Sequence, residues 1–183
     1  MASTDKPESA YSSAPASGDY FTFDVILRFL LFAASVVAVV VIATGDQTEM
    51  MGPMEREANF KNSPALIYFL VAFSVSGLYS IITFLASISV LQKPDLKLKF
   101  LLYFIFWDAL ILGIIASATG TAGGVAYVGL KGNRHVSWTK ICNVYDKFCR
   151  HIAGSLAVAL FGSIVTVLLI WLSAYNLHSR VPK

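Results

Sequence analysis

Two charged residues stand inside stretches that are otherwise apolar: Arg28 in VILRFLLFAAS and Asp108 in FIFWDALILG. On insertion scales a charge at the centre of a bilayer costs about 2.5–3.5 kcal/mol, so such residues pair, neutralise or face water. Arg28 lies about four residues into its apolar run and Asp108 about eight, so on helices of the same direction they differ by ~6 Å in depth. An arginine side chain covers that gap. The sequence therefore predicts an Arg28–Asp108 ion pair that fixes the first and third spans together. Two other readings stand beside it. Arg28 can reach back to the headgroups next to Asp24, and Asp108 can line the polar cavity of a small channel or transporter subunit.

The second cluster is Cys142 and Cys149, seven positions apart in a polar stretch that also holds His135 and His151. In a continuous helix that separation is ~10.5 Å along the axis, whereas a disulfide needs Cα atoms within about 7 Å. A bond between them requires NVYDKF to fold back as a turn. A Cys2His2 metal set is formally present, but its spacing matches no usual zinc pattern. Two cysteines in one polar loop and none elsewhere fit a disulfide formed in an oxidising compartment, within one chain or between copies. There is no HExxH, no GxSxG and no phosphate-cradling glycine loop. Gly123 and Gly124 read as the end of a helix. The chain reads as a non-enzyme with no metal and no cofactor.

The elements that must position these residues are four apolar stretches at 25–44, 64–91, 100–121 and 152–172. Each supplies the ~20 residues that a 30 Å hydrocarbon core requires. The predicted fold is all-α: one bundle of four antiparallel transmembrane helices. The 183 residues are 56% hydrophobic and 14% charged, against ~25% charged in an ordinary soluble domain. A net charge of +3 spread along the chain excludes a nucleic-acid partner, which needs a clustered basic face. Residues 1–22 are Ser-, Ala- and Pro-rich and read as a disordered tail, without the pattern of a cleaved signal. The membrane domain is expected at 23–175, with loops at 45–63 and 122–151 and a second tail at 176–183.

The first loop holds four acids against two bases, for −2; the second holds five bases against one acid, for +4. The two loops can therefore dock on each other. A short basic connection at 92–99 forces the second and third spans to be antiparallel. Counting lysines and arginines on the two sides gives six against seven, which decides no orientation. The cysteines place the long loop outside and both termini in the cytosol. Small residues recur every four positions at Ala116, Gly120 and Gly124, and again at Ser155, Ala159 and Ser163. Such stripes let helix backbones pack closely in lipid, within a bundle or between subunits.

The segment GGVAYVGLKGNRHVSWTKICNVYDKFCRHIAGSLA is the most specific text in the chain. With Gly132, Asn133, Trp138, Cys142, Tyr145, Phe148 and Cys149 in that order, it resembles the Casparian strip membrane domain proteins. These and their CASP-like relatives are plant four-span proteins of the wider MARVEL-type group. Arg28 and Asp108 match the family's arginine in the first span and aspartate in the third. The resemblance runs from about residue 23 to 172, and DQTEM and SATGTAGGVAY make it most similar to CASP-like subfamily 1. It implies a multi-pass plasma-membrane protein with cytosolic ends that forms homo- and hetero-oligomers with related proteins. In the founding members the assembled patch excludes other membrane proteins and recruits cell-wall-modifying enzymes; a basic outer loop also suits acidic wall polysaccharide. The first loop, GDQTEMMGPMEREANFKN, lacks the aromatic-rich motif of the founding members, so their location at the strip is not carried over.

Overall fold

In a computed structural model the chain is described over residues 17–51, 54–91, 97–133, 135 and 137–180. The four apolar stretches form helices α1 (Ser17–Ala43), α2 (Pro64–Leu91), α3 (Lys97–Lys131) and α4 (Asp146–Arg180). All four are long and apolar enough to cross a membrane. A lipid-embedded segment must satisfy its own backbone N–H and C=O groups, which is why these runs are helical. Pro64 opens α2, where its missing N–H costs nothing. α1 packs on α2 and α4, and α3 packs on α4 and α2, so α1 and α3 face each other across the diagonal.

Each helix buries one seam whose members are spaced alternately three and four apart. On α2 the seam is Leu66, Phe69, Phe73, Ser76, Ser80, Thr83 and Ser87; on α3 it is Leu101, Phe104, Asp108, Ile111, Ile115, Ala118 and Ala122. A 3.5-residue repeat is the signature of long helices crossing at about 20°. At one end of the bundle the seam is apolar, built around Ile42, Leu66, Phe69, Phe73 and Ile152. Farther along α1 and α2 it turns polar, with Asp24, Arg28 and Ser35 facing Ser76, Ser80 and Ser87.

The helices are longer than the apolar runs. α1 begins at Ser17, inside the stretch expected to be a disordered tail. The tail's last proline is Pro15, and beyond it each residue added to an existing helix gains a hydrogen bond at little cost. The rest of that expected tail, residues 1–16, lies outside the described residues. α4 runs to Arg180, through most of the expected C-terminal tail; residues 181–183 lie outside. α3 does not stop at Gly123 and Gly124 but continues to Lys131. A glycine inside a helix costs only about 1 kcal/mol relative to alanine, and membrane helices tolerate it. The stop is Gly132, whose φ of 68° is the left-handed conformation that terminates helices. The long loop thus shrinks to 132–145. The basic connection falls partly outside the described residues, at 92–96.

The first loop is structured. Strands β1 (Gln47–Met51) and β2 (Met54–Ala58) pair antiparallel, with Met51 opposite Met54 and Glu49 opposite Arg56. A short 3-10 turn at Phe60–Asn62 then leads into α2. This hairpin defines one end of the bundle, called the hairpin end below.

Candidate functional site

Arg28 is fully buried and uses its planar fork in two directions. Its Nε donates to Asp24 Oδ2 at 3.0 Å, one turn back on the same helix. Its Nη1 and Nη2 face Asp108 Oδ1 and Oδ2 across the diagonal at 3.4 and 3.3 Å. Those two contacts are long for hydrogen bonds but lie within ion-pair range. α2 completes the network. Tyr79 Oη donates to Asp108 Oδ1 at 2.6 Å, and Ser87 Oγ donates to Asp24 Oδ2 at 2.6 Å. The guanidinium carbon sits 4.4 Å from the centre of the Phe104 ring, a distance at which the ring face attracts a cation. Two carboxyls therefore share one guanidinium in a site closed to water. Asp24 Oδ1 has no hydrogen-bond partner among the described residues.

Position follows from helix geometry. Arg28 is fifteen residues before the end of α1 at Ala43, which puts it about 22 Å below the hairpin end. Its side chain is fully buried, and protein groups satisfy it. Asp108 is also fully buried, with one oxygen shared between Arg28 and Tyr79 and the other held by Arg28. Asp24, read from sequence only as a neighbour of Arg28, is 2% exposed and a full member of the network. Its signal was the four-residue spacing to Arg28. For Ser87 and Tyr79 the signal was the hydroxyl stripe of α2. Nearer the hairpin, Ser35 Oγ donates to Ser76 Oγ at 3.2 Å. Gly77 lets α2 come close enough that a Cβ there would lie 3.5 Å from Ser35 Cβ.

The second cluster is a stapled loop. Cys142 and Cys149 form a disulfide with Cα atoms 5.7 Å apart. The chain folds back through a 3-10 turn at Ile141–Asn143 before α4 starts. With both sulfurs bonded, neither can ligate a metal, and His151 Nδ1 lies 2.8 Å from Lys147 O. Gly132, Asn133 and Trp138 build one closed turn. Asn133 and Trp138 exchange both backbone hydrogen bonds, at 3.0 and 2.9 Å, while Asn133 Oδ1 accepts from His135 N. A Cβ on Gly132 would lie 2.7 Å from Trp138 O, so both the angle and the space there require glycine.

Tyr145 and Phe148 tie this loop to the hairpin. Tyr145 Oη donates to Arg56 O at 3.2 Å, and Phe148 N donates to Gln47 Oε1 at 2.9 Å. The −2 and +4 loops do meet, but through neutral groups. Among the described residues no ion pair crosses between them, and the exposed Arg150–Asp146 pair lies within α4. Gly45 brings the end of α1 against the start of α4, where a Cβ would stand 2.7 Å from His151 Cβ.

The two small-residue stripes point in different directions. On α4, Ser155 and Ala159 are fully buried and Ser163 half-buried. Gly162 takes over the seam, its missing side chain letting α4 approach Ala34 of α1. On α3, Ala116, Gly120 and Gly124 all face outward, and nothing lies within 4 Å of a Cβ built on either glycine. They sit one position after the buried seam residues Ile115, Ala118 and Ala122, or two after, which turns them away from the core by 100–200°.

Residues 18–165 match the Casparian strip membrane protein domain. The CASP-like protein 1D2 of Glycine max is 69% identical over the whole of both chains. The CASP-like protein 1D1 of Vitis vinifera is 56% identical over 90% of this chain and 82% of its own. The CASP-like protein 1D2 of Arabidopsis thaliana is 52% identical over 87% and 84% respectively. No solved structure matches. A family match over most of the chain, on a four-span bundle, makes this a multi-pass membrane protein that belongs to the Casparian strip membrane domain family, among its CASP-like members.

Proposed function

We propose that this chain is a non-enzymatic scaffold of the plasma membrane that associates with itself and with related CASP-like chains to organise a membrane patch. The observation that carries the reading is the outward stripe Ala116–Gly120–Gly124 on α3. Ala116 and Gly120 of that stripe, with Gly123 beside it and Leu160 and Ser163 of α4, line a groove of about 400 Å³ on the bundle surface. In lipid, helices associate through close packing of small residues rather than through burial from water, and this face leaves room for another helix. On this reading Arg28, Asp24, Asp108 and Tyr79 fix the bundle that presents the stripe. The disulfide-stapled loop is the surface offered to cell-wall enzymes or polysaccharide. A disulfide fits an oxidising exterior, so the hairpin end faces outward and both termini lie in the cytosol.

The test is energy transfer between two fluorescent copies in vesicles at fixed protein-to-lipid ratio. Gly120→Ile with Gly124→Ile should lower transfer several-fold while leaving the melting temperature unchanged. Transfer equal to that of the unaltered chain would overturn the assignment of this face. In plant cells, slow recovery after photobleaching within discrete patches is expected of the unaltered chain. Complete, rapid recovery of an even signal would overturn the scaffold.

A further inference from the structure

A second cavity lies at the hairpin end, about 380 Å³ in volume, between the start of α2, the end of α3 and the start of α4. Leu66, Ala126, Ile152 and Leu156 wall it, and Phe148 and the Cys142–Cys149 bridge also line it. Its amides and hydroxyl come from Asn59, Asn62 and Ser63, where the chain leaves the hairpin and enters α2. Nothing in the buried network or the outward stripe of α3 uses it.

Its depth identifies the phase it faces. Exposed aromatic residues mark membrane boundaries. On α3 these are Tyr103 and Trp107 at one end and Tyr127 at the other. Tyr103 and Tyr127 are separated by about 36 Å of helix, close to the thickness of a hydrocarbon core. Tyr127 itself lines the cavity. Leu66 and Leu156 therefore lie on the hydrocarbon side of that boundary and Asn59 and Asn62 on the water side. Such a space is ill-suited to water, which needs two to four polar partners. Left empty, it forfeits the dispersion contacts of every group that lines it. Its volume is that of a ligand site, and the medium at its wall is lipid.

We infer that this cavity is a binding site for one acyl chain of a phospholipid drawn from the leaflet at the hairpin end. Small residues hold it open: Ala58, Ala126, Gly129 and Ala153 all line it. At Gly129 a Cβ would make an ordinary contact with Cys142 Sγ, 3.8 Å away, so a larger side chain fits there only by taking up space in the cavity that Gly129 lines. Three exposed lysines, Lys61, Lys131 and Lys140, directly adjoin the lining residues Asn62, Leu130 and Ile141 in the chain. They put positive charge at the height of a lipid phosphate, which selects a phospholipid over an uncharged sterol. The site has two parts, an apolar slot for the chain and a basic rim for the phosphate.

The test uses the full chain in nanodiscs holding a phosphatidylcholine with a photoreactive diazirine on one acyl chain. Adducts are mapped by mass spectrometry. Labelling of 125–130 and 148–156 should exceed, several-fold, that of the outward residues Ile82 and Leu85 on α2. Gly129→Leu should fill the slot and bring that excess to the α2 level, with α2 labelling unchanged. Ala153→Phe serves as a second filling variant should the first not fold. Equal labelling of slot and α2, or an excess that survives both variants, would overturn the site. A photoreactive sterol that labels the slot where the phospholipid does not would overturn the phospholipid assignment. Each nanodisc holds one copy, so the result does not depend on self-association.

Discussion

Arg28 and Asp108 were legible because an isolated charge in an apolar run must be explained. Asp24, Tyr79 and Ser87 were not singled out, because an acid near a span's end and hydroxyls within a span have ordinary explanations. The structure joins all five. Removing one partner of a buried ion pair leaves an uncompensated charge and costs about 3–5 kcal/mol. Arg28→Ala strands both carboxyls and should therefore lower the melting temperature of the detergent-solubilised chain more than any other single change in the network; Asp108→Ala, which leaves Arg28 paired with Asp24, should lower it less. Tyr79→Phe removes one hydrogen bond to a charged acceptor, a loss of about 1.5–3 kcal/mol, and should have a smaller effect than loss of either ion-pair partner. Arg28→Lys cannot reproduce the fork and should resemble Asp108→Ala. If Asp108→Ala melts no lower than Leu85→Ala, a change at an outward position, the network is not what holds the bundle.

At the scale of elements, the sequence located the helices but not their faces. In lipid the outer surface is as apolar as the core, so hydrophobic periodicity is nearly flat. The buried seam is written instead in small and hydroxyl residues at alternating three- and four-residue steps, as in Ser76–Ser80–Thr83–Ser87. A four-residue stripe such as Ala116–Gly120–Gly124 follows a different line around the helix, and it faces outward. The end of α3 was missed for a related reason: glycine is a weak helix stop inside a membrane. Gly124 and Gly132 make a contrasting pair. Gly124→Ala meets open space and should leave stability unchanged or slightly raised. Gly132→Ala must hold a left-handed conformation, at about 1–2 kcal/mol, and also displace Trp138 O. It should speed tryptic cleavage after Lys131 and Lys140 several-fold, a change Gly124→Ala should not produce. Equal cleavage in both variants would mean that the Asn133–Trp138 turn does not depend on that backbone angle.

For the molecule as a whole, the apolar and the polar halves of the bundle are built differently. The hairpin, the disulfide turn and the first turn of α4 form one unit through Tyr145 and Phe148, while the charge network lies about 22 Å away along α1. The sequence showed the cysteines and the opposite loop charges. It did not show that the loops would meet through Gln47 and a backbone carbonyl, because neither group carries a pattern. Closing so short a loop, with the cysteines seven positions apart, stabilises by about 2–3 kcal/mol in the chain-entropy picture. That contribution is local, since the seams of α1, α2 and α3 do not involve the bridge. Replacing both cysteines by serine should raise amide hydrogen exchange across 132–148. It should also raise exchange in β1 and β2, which lose their anchor, but leave the buried seams of α2 and α3 protected as before. Exchange confined to 132–148 would show that the hairpin stands on its own. Exchange that spread into α3 around Ile111 and Ile115 would show that the staple supports the whole bundle.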